Sequence, residues 1–415
     1  MVAKQYDWLT GATLEDHSRQ KHKILREYLF KYLNVRCQIP QQGKFRLAIV
    51  DGFAGGGRYK CGAAGSPILF IEELEKALNT INLYRANQGV GTVELECLLL
   101  FNDADPEVIE LLRSNCAPVQ AVCSQNTPKL HLQIQYSCDS FEVAYPKIKA
   151  MLKQGRYRNI LFNLDQCGHK HVERATLVDI MHLNNSVEIF YTFAIQPLLS
   201  FLRKSEPQKL AAQLQHLQMS PADLNKLGGE MSNSVWLGTA ERLVFETFNN
   251  CAPYVSPFSI NNPEGWRYWL IHFANSYRGR QVYNNILHDN ASSQAHFGRS
   301  GLNMLSYDPS HDDGALYLFD MSGRKKAKQQ LFNDVPRLLS DCGDVLGVQE
   351  FYEEIYNLTP AHKDDIHSAI ADNPDIEVVT PAGGERRKAN TIIVGDVIKL
   401  RKQKSFFPMF LRKPE

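Results

Sequence analysis

The stretch that most constrains the fold is Phe45 to Gly57, FRLAIVDGFAGGG, an apolar run closed by an acid and a glycine cluster. Leu47, Ala48, Ile49 and Val50 carry no polar alternation, and a strand without it is buried on both faces, as in a parallel sheet covered by helices. Asp51 then falls at the carboxyl end of that strand, ahead of Gly52, Gly55, Gly56 and Gly57. Glycines let a backbone turn sharply and approach a ligand, and ligands of open α/β sheets bind at the carboxyl edge of the strands. A glycine-rich strand-to-helix turn without a ligand is the alternative for a lone motif.

Later runs repeat the pattern. VELECLLLFND, 93 to 103, ends in Asn102 and Asp103; LHLQIQYSCD, 130 to 139, alternates and ends in Asp139; NILFNLD, 159 to 165, ends in Asp165; VEIFYTFAI, 187 to 195, is a fifth strand. Ser66 and Pro67 predict a helix to about Leu78, and Ala104 to Asn115 reads as another. Strands alternating with helical segments imply βαβ units and a doubly wound sheet. Asp51, Asp103, Asp139 and Asp165 therefore gather on one edge, where carboxylates repel one another unless something binds. Asp103 is placed to accept ribose hydroxyls, as in dinucleotide folds, whereas Asp105 suits a helix cap. Residues 79 to 92 are polar and read as a surface insertion.

Residues 14 to 34 predict an amphipathic helix carrying Ile24, Leu25, Tyr28, Leu29, Tyr32 and Leu33. His17, Lys21 and His22 lie near its start, either on a solvated face or with Lys21 turned toward the ligand edge. Residues 197 to 250 are helical in pattern and read as an insertion. PYVSPFSINN and WRYWLIHFANS form a closing β-hairpin, and Arg278 to His288 a helix. Residues 289 to 345, with the basic run Arg324 to Lys328, read as irregular connection.

The last seventy or so residues give helices followed by a hairpin, the outline of a winged helix. Arg386, Arg387 and Lys388 fall at the wing tip; Lys399, Arg401, Lys402, Lys404, Arg412 and Lys413 follow. From Arg386 to Lys413 there are nine cations against the single acid Asp396, a local surplus of eight on a chain of net charge +1. Such a surplus pairs with phosphates. A protein-docking role for the winged helix is the alternative. The 9 cysteines form no CxxC pair and no zinc spacing, which fits reduced thiols in a cytoplasmic protein. No apolar run approaches the roughly 20 residues needed to cross a bilayer, and no signal peptide is visible.

SRQKHKILREYL, IVDGFAGGGRY followed by GSPILFIEEL, FNDADPEVIELL, NILFNLDQCG, YWLIHFANSYRGRQVYNNIL and TPAHKDDIHSAI together span most of the chain. In these pieces it resembles the three-Cys-motif partner proteins, bacterial proteins often found beside a phage-type, radical-SAM-like protein with three cysteines. The resemblance implies a Rossmann-like doubly wound sheet of the class I methyltransferase type, with a helical insertion and a C-terminal winged helix. The expected division is 1–196 and 257–345 for the Rossmann-like domain and its connecting segment, 197–256 for the insertion and 346–415 for the winged helix. It also implies S-adenosylmethionine as cofactor, its methionine part against Asp51, Gly52, Phe53, Gly55 and Gly57, its ribose on Asp103 and its adenine amino group at Asp139. Substrate would meet the methyl group at Asn163 and Asp165.

The fourth-strand motif departs from the family, whose members tend to have proline after the aspartate. Amine methyltransferases of adenine or cytosine use a PP-aromatic sequence there, and Gln166 and Cys167 stand in its place. Cys167 lacks the Pro-Cys setting of cytosine-C5 enzymes and reads as a buried thiol; with His169 and His171 it makes no zinc site, and no bound metal is expected. The leading expectation is an AdoMet-dependent methyltransferase-like protein acting on DNA or RNA, in nucleic-acid modification or phage-related defence. The alternative is a non-catalytic nucleic-acid- or protein-binding partner of a neighbouring three-Cys protein. A metal-dependent nuclease is a third reading, disfavoured because no PD-(D/E)xK-like pairing is visible.

Overall fold

The computed structural model describes residues 7–166, 171–195, 233–261, 267–290, 294–296, 298–304 and 317–401. They divide into two compact units, one running to residue 296 and including 317–319, the other holding 298–304 and 320–401.

The first unit is mixed α/β around a central, mostly parallel sheet. Helices α1 (Asp16–Arg36), α2 (Ser66–Asn87), α3 (Pro106–Asn126), α4 (Phe141–Gln154) and α5 (Arg174–Met181) alternate with strands β1 (Lys44–Asp51), β2 (Glu94–Asp103), β3 (Leu130–Cys138), β4 (Asn159–Leu164) and β5 (Ser186–Phe193). Helix α6 (Asn233–Asn249), β6 (Tyr254–Asn261), β7 (Arg267–Ala274), α7 (Tyr277–Asp289), β8 (Gln294–His296) and β9 (Tyr317–Leu318) complete it. The strand order is β3-β2-β1-β4-β5-β7-β6-β8-β9. Strands β1 to β5 pair in parallel, and β7 lies between β5 and β6, antiparallel to both. The expected hairpin and the five expected strands are thus all present. Leu47 to Asp51 are buried without a break, the burial expected of a strand covered on both faces.

Helix α1 buries the predicted face of Ile24, Leu25, Tyr28, Leu29, Tyr32 and Leu33, and adds His17 and Lys21 to it. Tyr28 donates to Glu188 of β5 at 2.5 Å, and His272 of β7 lies 3.2 Å from the same carboxylate, so one buried acid ties α1 to two strands. Helix α2 does not stop near Leu78; it runs to Asn87, and residues 79 to 87 are its last turns rather than a surface insertion. Ile81 and Arg85 are the buried positions that continue it. The Arg85 guanidinium donates to the carbonyls of Cys37, Ile39, Pro40, Gln42 and Gly91 at 2.6 to 3.0 Å, which gathers the link between α1 and β1.

The second unit holds α8 (Met321–Asp341), β10 (Val345–Gly347), α9 (Val348–Ile355), α10 (Lys363–Ala371), β11 (Ile376–Val379), β12 (Glu385–Arg386) and β13 (Val397–Leu400). Its antiparallel sheet has the order β10-β13-β11-β12. Helix α8 occupies part of the segment read as irregular connection. Asp320 caps it by accepting from the Gly323 amide at 2.7 Å, and Gly323, Ala327, Leu331, Val335 and Leu339 form its buried stripe. Among the described residues no helix is long and apolar enough to cross a membrane, and the eight described cysteines are free.

Candidate functional site

Parallel pairing brings the strand-end acids to one edge, in the order Asp139, Asp103, Asp51 and Asp165 across β3, β2, β1 and β4. Asp51 faces Asn163 across the β1–β4 pair. Its carboxyl is 0% exposed; Oδ1 accepts from the Phe53 amide at 3.4 Å, and the Ser66 and Asn163 side chains interact with the carboxylate. Burial pushes its pKa up to about 7, with the Ser66 and Asn163 side chains opposing the rise and the charge on Asp165 adding to it. Asn163 and Asn102 are also buried. Asn102 Nδ2 donates to the carbonyls of Gly52 at 3.1 Å and Asp139 at 2.9 Å. Asn102 Oδ1 has no hydrogen-bond partner among the described residues. A buried polar atom without a partner is costly in a folded protein unless something else satisfies it.

The glycine turn is held by its own surroundings. Gly52 donates to the Asn163 carbonyl at 2.9 Å, Ala54 to the Asn102 carbonyl at 2.8 Å, and Gly55 to Asp103 Oδ2 at 3.0 Å. Gly55 and Gly57 have φ of +62° and +81°, the left-handed region that favours glycine. A side chain at Gly55 would overlap the Trp8 indole, and one at Gly52 would meet Leu164 and Phe141 at 2.8 Å. Phe53 packs its ring 5.7 Å from Phe141 and 6.3 Å from His171.

Asp103 has a structural part that the sequence did not supply: besides Gly55, its Oδ1 accepts from the Asp105 amide at 3.1 Å. Burial raises its pKa, and those backbone amides oppose the rise. Asp105 caps α3 as expected, accepting from Glu107 at 2.9 Å. Asp139 Oδ2 accepts from Lys147 at 2.9 Å.

Asp165, just past β4, receives Lys21 from α1, with Nζ 2.5 and 2.6 Å from its two oxygens. Lys21 therefore faces the edge and not solvent; its side chain is 5% exposed and that of Asp165 30%. Burial alone would raise the Asp165 pKa, but Lys21, with Thr192 and His22, reverses the sign and holds it below the usual carboxylate value. Burial lowers His22 to about 4, and the Lys21 charge adds to the effect. His17 is also lowered by burial, and it stacks on Tyr268 at 4.7 Å. Gln166 is a buried clasp, its Nε2 donating to Tyr191 at 2.6 Å and its Oε1 accepting from the His171 amide at 2.9 Å. Cys167, Gly168 and His169 lie outside the described residues.

In the second unit, α8 packs on α10, and α10 leads into the β11–β13 sheet. Residues 306–383 match the GMT-like wHTH domain. The match takes in α8, so this winged helix-turn-helix reaches back before residue 346. A search of curated proteins gave no match to the chain.

The basic residues expected on the wing divide into two groups. Arg386 makes two contacts, at 3.0 and 3.3 Å, to the buried Asp396. Lys399 pairs with Glu377 at 2.7 Å, and Arg401 with Glu377 and Glu385. Those acids lie just before Arg386, outside the stretch whose charge looked so one-sided, and they reduce its surplus. Arg387 is 86% exposed, 4.0 Å from Glu385, and Lys388 is exposed. Lys402, Lys404, Arg412 and Lys413 lie outside the described residues.

Proposed function

We propose that this chain is an AdoMet-dependent, methyltransferase-like protein acting on nucleic acid, with the cofactor at the carboxyl edge of the parallel sheet. The observation that carries the reading is the buried pair Asp51 and Asn163, which face each other at the ends of the adjacent strands β1 and β4. The order β3-β2-β1-β4-β5 supports a Rossmann-like doubly wound reading, in which the strand order reverses between β1 and β4 and the crevice there takes the ligand. The winged helix-turn-helix match supports nucleic acid as the macromolecule. The free thiols fit a cytoplasmic setting.

The residues fit the cofactor at two points. Asp51 would accept from the amino group of the methionine part with a lone pair that Phe53, Ser66 and Asn163 leave. Each Asp103 oxygen accepts one backbone amide, and a carboxylate has lone pairs left for two ribose hydroxyls. Asp139 is the third proposed contact, shared with Lys147. When bound, AdoMet supplies the electrophilic methyl group. Asp165, kept ionised by Lys21, would orient the nucleophile or take its proton, with Asn163 beside it.

Calorimetry tests the cofactor half: micromolar binding of AdoMet and of its demethylated product, lost in Asp51→Ala and Asp103→Ala. No heat from either ligand overturns it. A second reading, a non-catalytic partner of another protein such as a three-Cys radical-SAM-like one, is favoured by a specific observation. Trp8, Phe141 and Leu164 occupy the space beside the glycines, and Gln166 uses both ends of its amide within the protein. Label transfer from AdoMet to mixed DNA and RNA, lost in Asp165→Ala, would exclude that scaffold role.

A further inference from the structure

In a winged helix the second helix of the helix-turn-helix is the usual reader of a DNA groove. Here that helix is α10, and its surface is unsuited to the task. Ile366, His367, Ala369 and Ile370 are buried. Asp364 at its first turn is exposed, its side chain 75% accessible, and Asp372 just past its end pairs with Lys328 at 2.8 Å. Asp365 is held by Arg324 at 2.8 and 3.0 Å. The exposed Asp364 carboxylate at the first turn of α10 repels the phosphates that supply most of the affinity for nucleic acid.

Helix α8 has the opposite character. Lys325, Lys326, Gln329, Asn333 and Arg337 are exposed, and their three-, four- and seven-residue spacings put them on one face. None of the three cations has an ion-pair partner among the described residues. Asp334 is turned away, accepting from the Leu302 amide at 3.0 Å; Asp341 closes the helix beyond Arg337. From Lys325 to Arg337 the face is about 18 Å long, which sets it against roughly ten charges of a duplex.

We propose that the second unit holds duplex nucleic acid by its phosphate backbone along the exposed face of α8, and not by insertion of α10. The inference rests on the nucleic-acid half of the function proposed above. Amide side chains between cations are suited to phosphate oxygens. Gln329 and Asn333 form the polar centre of the face, with the exposed Phe332 at its margin.

The test uses the full chain and a fluorescently labelled 24-base-pair duplex, read by anisotropy between 50 and 200 mM salt. Lys325→Glu/Lys326→Glu/Arg337→Glu should weaken binding at least tenfold and flatten the salt slope by about 2 to 3, as expected for three lost phosphate contacts. Asp364→Ala and Ser368→Glu on α10 should stay within twofold of wild type. Circular dichroism checks that each variant is folded. Wild-type affinity in the triple variant, loss of binding in Ser368→Glu, or displacement by poly-glutamate as readily as by unlabelled duplex would each overturn the inference while leaving wild-type binding intact. A wild-type chain that fails to bind the duplex at 50 mM salt overturns the nucleic-acid reading itself.

Discussion

Replacing Asp51 by Asn keeps the shape of a fully buried side chain and removes its charge, so it isolates the cost of burying that carboxylate. The folded-state pKa is about 7 against an ordinary 3.8. Below about pH 4 both folded and unfolded chains carry the proton, and the group contributes no pH dependence. Between the two values the folded chain keeps a proton that the unfolded chain releases, so stability falls as pH rises, and above about pH 7 the penalty is complete. Three pKa units correspond to about 4 kcal/mol, of which about 3 kcal/mol develops between pH 5 and 8. The stability of Asp51→Asn relative to wild type should therefore grow by about 3 kcal/mol over that range, on the order of 6 °C in Tm for a unit of this size. Scanning fluorimetry of both proteins at pH 5, 6, 7 and 8, at constant ionic strength and scan rate, reads the difference. A difference that stays flat with pH would refute the reasoning, because it would mean that the carboxylate is solvated or paired.

Lys21→Met leaves Asp165 without its cation and should cost about 3 kcal/mol, most of which the double variant with Asp165→Leu restores. Because the Asp165 pKa is held low, this loss should be full above about pH 4, the unfolded carboxylate value, and fade as pH falls through the folded one; Tm against pH checks it. Gly55→Ala forces a side chain onto Trp8 at positive φ and should destabilise by about 2 kcal/mol. Part of that should return in the Trp8→Ala background, and tryptophan fluorescence should shift in the single variant. Asp396→Ala strands Arg386 and should cost about 3 kcal/mol, read as faster proteolytic cleavage at the wing.

Local pattern and long-range geometry account for what could be read in advance. The unbroken apolar run before Asp51 and the acids closing three further strands depend on nearest neighbours, and the strands came out where the pattern put them. The partner of Asp165 is 144 residues away, so no spacing rule connects it to Lys21; the only hint was a lysine on a helix leading into β1. Trp8 against Gly55 is hidden in the same way. Helix α8 was missed because Gly323 and Ala327, the small residues of its buried stripe, give little apolar signal beside the charges of 324 to 328. Its i, i+4 stripe from Ala327 to Leu339 was the available clue. The excess charge of the wing was overread because pairing across a sheet joins residues that a linear window separates, as Glu377 and Lys399 do.

The five carbonyls gathered by Arg85 lie at the amino end of β1, whereas Lys21 acts at its carboxyl end, some 24 Å along α1 from the link that Arg85 fastens. A guanidinium bound to neutral oxygens has no counter-ion for salt to compete away, and an ammonium cannot reproduce its fork. The pose of the Lys21–Asp165 pair is in this way anchored from behind: a conservative change at Arg85, remote from every acid on the edge, would loosen the lever that delivers the cation.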